Sequence, residues 1–167
     1  MKLRKFLPAR SELEEFLPMC EDFYSGGATL YPIPRSQMEA TFWKAANGSP
    51  YAIGYFIETE GKVAGYGLVY PFYSNEAGRL CVMLEEIYVK PEYRCQHLGT
   101  AYLEQIAEQV GTDIGEPVGG LKLEICPTNE RARKLYESMG FQVLGYGSMV
   151  KKLPSEESCC SCFPSKN

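Results

Sequence analysis

Apolar residues recur along this chain in two periods, and the places where the period changes predict its elements. Residues 2–7 read as a short strand. After Ser11, a candidate helix cap, Leu13, Phe16, Leu17, Cys20, Phe23 and Tyr24 share one helical face, and Pro18 is expected to kink or restart that helix. Gly26-Gly27 breaks the pattern, 31–34 is an extended connector, and a second helix from Ser36 carries Met38, Phe42 and Trp43 until Asn47-Gly48-Ser49-Pro50. Aromatic and β-branched runs at 51–59 and 62–73, joined by Glu60-Gly61, predict an antiparallel hairpin, and 80–89 a third strand. A helix then runs to about Val110 on a stripe of Leu98, Tyr102, Leu103, Ile106, Ala107 and Val110, and glycine and proline interrupt it from 111 to 120. Residues 121–126 are a compact strand, 129–138 a helix stopped by Gly140, and 141–153 a final strand pair or long strand. This order predicts an α+β fold, a mixed sheet with helices on both faces. Residues 1–153 are expected to form one domain and 154–167 a flexible, cysteine-containing tail.

Composition narrows the function classes. The chain has 167 residues, 45% of them hydrophobic, which suits one globular domain. No signal-peptide pattern opens it and no apolar run reaches membrane-spanning length, so a soluble cytoplasmic protein without membrane partners is expected. With 17 Lys and Arg against 21 Asp and Glu, the formal charge is −4 and no basic block stands out, which disfavours nucleic acid as a partner. The seven cysteines show no paired spacing. Cys20, Cys81, Cys95 and Cys126 read as reduced, small core or half-buried residues, and Cys159, Cys160 and Cys162 as part of a flexible end. His97 is the sole histidine, so no metal site is expected.

Two strand-to-helix units carry the candidate chemistry. In the first, a strand ending Leu84-Glu85-Glu86-Ile87-Tyr88-Val89 enters a polar turn, Tyr93-Arg94-Cys95-Gln96-His97, and opens a helix at Leu98-Gly99-Thr100-Ala101. The unpaired N–H groups of residues 96–101 at a helix start favour phosphate, and Arg94 can add charge. In the second, Asn129, a helix N-cap, stands seven residues before Tyr136, so the phenol shares the face where that helix begins. Gly65-Tyr66-Gly67 lacks the third glycine of a dinucleotide fingerprint and reads instead as a bend or a point of close packing. Cys126 would have only His97 as a partner base and reads as a buried cysteine.

The string from Val89 to Ala101 resembles the acyl-CoA signature of the GNAT superfamily of N-acetyltransferases. Asn129-x-x-Ala132-x-x-Leu135-Tyr136-x-x-x-Gly140-Phe141 resembles that family's second signature. The likeness covers roughly residues 50–152 and agrees in element order. The family turn reads Arg-x-x-Gly-x-Gly, and alignment on Val89, Pro91 and Arg94 puts His97 at the first glycine and Gly99 at the second. A histidine there can crowd the phosphate cradle or add a donor to it. A slid register, Gln96-x-x-Gly99-x-Ala101, loses the Val-x-Pro-x-x-Arg spacing.

The resemblance implies acetyl-CoA as co-substrate, without a metal, lying between two splayed strands. It implies cofactor contacts from Ile87, Tyr88, Val89, Arg94, Cys95, Gln96, His97, Leu98, Gly99, Thr100, Ala101, Asn129, Ala132 and Tyr136. The implied reaction is acetyl transfer to a primary amine, of a small molecule or of a peptide or protein, by direct attack in a ternary complex. Many relatives are dimers, and a homodimer is consistent with the final strand. The resemblance to relatives that acetylate polyamines, which carry a glutamate at the position of Glu85, implies that this residue takes the amine proton through water. Glu86 is the rival base, and strand alternation lets only one of the two face the substrate; we favour Glu85. Tyr136 is the expected acid for the departing thiolate. Tyr24, Tyr31, Trp43, Tyr70, Phe72 and Tyr73 can line an acceptor pocket or simply pack the core. The alternative is a catalytically silent acyl-CoA-binding sensor or scaffold with the same fold. Acidic Glu39, Glu85 and Glu86 make a cationic acceptor attractive.

Overall fold

A computed structural model describes residues 1–26 and 31–151. Gly27, the end of the expected last strand and the tail cysteines Cys159, Cys160 and Cys162 lie outside the described residues. The elements are β1 (Lys2–Lys5), α1 (Arg10–Ser25), α2 (Arg35–Ala46), β2 (Ile53–Thr59), β3 (Lys62–Ser74), β4 (Arg79–Val89), α3 (Leu98–Ile114), β5 (Gly120–Leu123) and α4 (Glu130–Ser138). The strands form one sheet in the order β1-β2-β3-β4-β5, antiparallel throughout except for the parallel β4–β5 pair. Among the described residues no helix is long and apolar enough to cross a membrane.

Each face of the sheet buries a helix pair, as the alternation of elements requires. On one face Phe6, Phe16, Phe42, Phe56 and Tyr66 bring α1 and α2 against the strands. Their rings stack or tilt at centroid distances of 4.5 to 5.6 Å. On the other face Tyr102, Leu103, Ile106 and Val110 of α3 pack against Leu3, Tyr55, Ile57, Val69, Val82 and Leu84, with Leu135 and Tyr136 of α4 and its C-cap Met139 alongside. The β2–β3 hairpin turns at Glu60 (φ 52°) and Gly61 (φ 73°), the left-handed pair of a two-residue hairpin loop.

Local details differ from the sequence expectation. α1 starts after Ala9 with no side-chain cap; Ser11 lies inside the helix, and the Glu12 carboxylate instead accepts from the Leu7 N–H at 2.6 Å. Pro18 does not divide α1. α3 runs through Gly111 and ends only at Gly115, whose φ of 82° caps it. β5 is shorter than its apolar run. Residues 141–151 form no strand: Val143, Tyr146 and Met149 are 78%, 78% and 99% exposed, and Gly145 and Gly147 weaken any ladder there. Cys95 and Cys126, expected to be at least half-buried and buried, are respectively exposed and half-buried, whereas Cys20 and Cys81 are buried.

The two strand glycines mark close approach. A Cβ at Gly67 would sit 2.2 Å from the Tyr102 hydroxyl, and one at Gly65 would sit 2.1 Å from the carbonyl oxygen of Tyr88 on β4. The second collision is with backbone and cannot relax by rotation. Gly65→Ala is therefore expected to destabilise the fold by about 1–3 kcal/mol in urea titration, and a midpoint equal to wild type would contradict this packing.

Candidate active site

The site begins with a fault in β4. Pairing with β3 passes from Leu84 opposite Val69 to Glu86 opposite Leu68, so Glu85 is the extra residue of a β-bulge. The parallel ladder to β5 ends at the same place, with Leu84 opposite Leu123. Beyond it the two strands part. The Lys90 N–H donates to Ala64 O on β3 at 2.9 Å. Backbone groups of successive strand residues point to opposite sides, so those of Ile87 and Val89 point away from β3, into the gap. The Arg94 Nε donates to Val89 O there at 2.9 Å.

The gap widens into a cleft of about 570 Å³ bounded by the end of α1, Leu84, Glu85 and residues 87–89, the turn to α3, residues 124–126 and the start of α4. Two helix N-termini open onto it, with Leu98, Gly99 and Thr100 from α3 and Asn129, Arg131 and Ala132 from α4 among its walls. Asn129 caps α4, its Oδ1 accepting from the Ala132 N–H at 3.1 Å. Ala101 N–H bonds back to His97 O, and the N–H groups before it have no helical partner. Such converging donors bind an anion.

The turn itself holds two strained residues. Cys95 (φ 61°) and His97 (φ 59°) both take the left-handed conformation that glycine adopts freely. His97 was expected at a glycine position; Cys95 was not singled out, and only the backbone reveals that it is one too. Both side chains stand on the wall of the cleft.

The expected site residues divide by place. Glu85, Ile87, Tyr88, Val89, Arg94, Cys95, His97, Leu98, Gly99, Thr100, Asn129, Ala132 and Tyr136 line the cleft. Glu86, Gln96 and Ala101 do not; the Gln96 amide donates to Glu92 O at 3.2 Å, and Ala101 lies one turn into α3. Residues outside the expected set also face the cleft, among them Asp22 and Phe23 from α1, Glu124 and Cys126. Asp22 and Phe23 come from the far side of the sheet sequence, where no motif signals them.

The adjacent glutamates have opposite surroundings. Glu85 is exposed in the cleft without a hydrogen-bond or ion-pair partner among the described residues. Loss of solvent against the walls, then the charges of Glu86 and Glu124, raise its pKa. Glu86 is 5% exposed on the α1 side, where the hydroxyls of Tyr24 and Tyr66 each donate to it at 2.7 Å and the Cys20 thiol stands 3.9 Å away. Burial raises its pKa, and those donors oppose the rise. Tyr136 stands across the cleft, its ring 5.7 Å from Phe141, and burial raises its pKa above the usual phenol.

Glu86 generates a stability prediction with a definite sign. A carboxyl whose folded pKa is raised holds its proton where the unfolded chain has released it, so the protein loses stability as pH rises from the ordinary carboxylate range through the folded value. The stability difference between Glu86→Gln and wild type should therefore shift in favour of the glutamine variant as pH rises from 4.5 to 8 in denaturant titrations. A difference independent of pH would contradict the assignment.

A mixed five-stranded sheet that parts beside two helix N-termini, leaving a donor-lined cleft across its middle, defines the architecture of this domain. The profile of the Acetyltransferase (GNAT) family matches residues 13–141, and the chain belongs to that family. It is 45% identical over 82 residues to the thialysine N-epsilon-acetyltransferase of Bos taurus and 39% identical over 88 residues to that of Mus musculus. These matches take in 49% and 52% of this chain and 46% and 49% of the relatives, so the chain spans about half the length of the curated relatives it matches. In fold it is similar to the aminoglycoside N-acetyltransferase AAC(6')-Iy solved in complex with CoA, at TM-score 0.70 and 17% identity over 90% of this chain and 93% of that one. It is also similar to a ribosomal-protein-alanine N-acetyltransferase from Brucella melitensis biovar Abortus 2308, at TM-score 0.67 and 17% identity over 92% of this chain and all of the other.

Proposed function

We propose that this chain transfers an acetyl group from acetyl-CoA to a primary amine by direct attack in a ternary complex. The observation that carries the reading is the parting of β4 and β5 at Glu85, which leaves the backbone of Ile87 and the N–H of Val89 without a strand partner along one wall of a cleft that ends at two helix N-termini. The residues fit the group: strand backbone can pair with an amide-bearing arm, and helix N-termini with a diphosphate. When bound, acetyl-CoA supplies an acetyl thioester activated toward an amine.

The two ionisable side chains that the family resemblance singled out face this cleft in complementary states. Glu85 has no competing partner and a pKa above the ordinary carboxylate range, so it can accept the amine proton, directly or through one water, near neutral pH. Tyr136 remains protonated there because burial raises its pKa, so it can give its proton to the departing thiolate. Glu86 is engaged by two phenols behind the strand and supports β4 rather than meeting the acceptor.

The acceptor we infer is a small cationic amine of the lysine type. The relatives named as thialysine N-epsilon-acetyltransferases support this, as do Glu85 and Glu124 on the cleft walls. A cytoplasmic location fits an enzyme that draws on acetyl-CoA.

Tyr136→Phe should lower kcat by about a hundred- to ten-thousandfold with lysine-like amines, while calorimetry gives an unchanged Kd for acetyl-CoA. Wild-type turnover in that variant would refute the role. For Glu85, kcat/KM should fall as pH drops through its raised pKa, because only the deprotonated carboxylate accepts a proton. Glu85→Gln should be slow and lack that acid limb, and Glu86→Gln should keep it. Loss of the limb in the Glu86 variant instead would reverse the assignment.

A further inference from the structure

Two arginines stand beside the phosphate turn, and the structure treats them differently. Arg94, in the turn, is already engaged: its Nε donates to Val89 O at 2.9 Å, its Nη2 lies 3.7 Å from Asp22 Oδ2, and its guanidinium rests 5.7 Å from the centre of the Tyr88 ring. The Tyr88 hydroxyl donates to the same Asp22 oxygen at 2.6 Å. Arg94 thus ties the turn to the last turn of α1. Arg131, in the first turn of α4, faces the cleft from the opposite wall. Its Nη2 reaches the Cys95 sulfur at 3.5 Å, a weak acceptor, and no carboxylate lies within ion-pair distance of it among the described residues.

We infer that Arg131, rather than Arg94, supplies the guanidinium that holds the diphosphate of acetyl-CoA. The inference rests on the acetyl-CoA reading above and goes beyond it, since the turn sequence pointed to Arg94 for that charge. An arginine that exchanges a thiol for a phosphate oxygen gains a charge-assisted, bidentate bond and breaks nothing of comparable strength. Arg94 would first have to leave a carboxylate, a carbonyl and a ring face. Position argues the same way. By reaching Cys95, Arg131 places its charge over the turn where the free N–H groups of Leu98, Gly99 and Thr100 begin α3, and its own helix adds a second N-terminus. Arg94 is then a positioning residue, which fixes the turn so that those donors stay aimed.

Calorimetry on the full chain at fixed ionic strength, with CoA and with dephospho-CoA, tests the assignment. Arg131→Gln should weaken both ligands by the same factor, about ten- to a hundredfold, and flatten the dependence of log K on log salt. Arg131→Lys should recover part of the loss, because the charge returns without the fork. Arg94→Gln should lose less affinity than Arg131→Gln and should lower the melting temperature, which Arg131→Gln, at an exposed helix position, should leave near wild type. Wild-type affinity in Arg131→Gln, or a larger loss in Arg94→Gln, would overturn the inference. A loss seen with CoA but absent with dephospho-CoA would also overturn it, by moving the contact to the 3′-phosphate. If wild type itself binds neither ligand, it is the acetyl-CoA reading that fails, not the choice between arginines.

Discussion

A single inserted residue in one strand organises this molecule. Up to Leu84, β4 is a central strand with neighbours on both sides; at Glu85 the pairing with β3 slips by one and the ladder to β5 stops. A bulge twists and redirects its strand, and here the redirected half keeps β3 and abandons β5. Polar backbone is left without a strand partner in the middle of a sheet, an arrangement that is costly unless a side chain, water or a ligand satisfies it, as the Arg94 Nε does for Val89 O. The same slip changes which side chains meet which layer: Val82 and Leu84 pack toward α3, and so do Ile87 and Val89, although the two pairs have opposite parity. Glu86 consequently turns to the α1 face, where Tyr24 and Tyr66 receive it.

The ends of the gap are built to carry charge. Helices α3 and α4 both start at its mouth, one after a turn with two left-handed non-glycine residues and the other after a side-chain cap. Left-handed backbone costs a residue with a Cβ about 1–2 kcal/mol, so Cys95 and His97 hold the turn under strain that tertiary contacts must sustain. The pairing of Arg94 with Asp22 and Val89 O, and of Lys90 with Glu15 at 2.6 Å, fastens the end of β4 and the turn to α1. That bracing lets donors stay aimed at one point without glycine's freedom.

Much of this was legible in the sequence because periodicity and turn chemistry are local. The 3.6-residue stripe from Leu98 to Val110, the Glu60-Gly61 hairpin and the Asn129 cap each follow from residues within one turn of one another, and each element formed. The chemistry of Glu85 and Tyr136 came instead from a likeness to a family, and the structure adds their common cleft. What could not be read is what depends on the far side of the fold. Strand alternation separated Glu85 from Glu86 but assumed a regular strand, and no residue type announces a bulge. Residues 141–153 read as a final strand pair or long strand, but the described part, 141–151, has no partner in the sheet and is largely exposed. Gly111 looked like a stop, yet α3 continues to Gly115, whose positive φ ends it. Asp22, on α1, reaches the cleft only because the sheet brings the two together.

The proposed function depends on the N–H groups of Ile87 and Val89 facing the cleft, where the pantetheine arm of acetyl-CoA would pair with them. Hydrogen exchange resolved to single amides measures this directly. The account predicts that the amides of Ile87 and Val89 exchange quickly in the free protein, while those of neighbouring Tyr88 and Lys90, which face β3, are protected, and that saturating acetyl-CoA slows the first pair selectively. Equal protection of all four without ligand, or no change at Ile87 and Val89 on saturation, would contradict it.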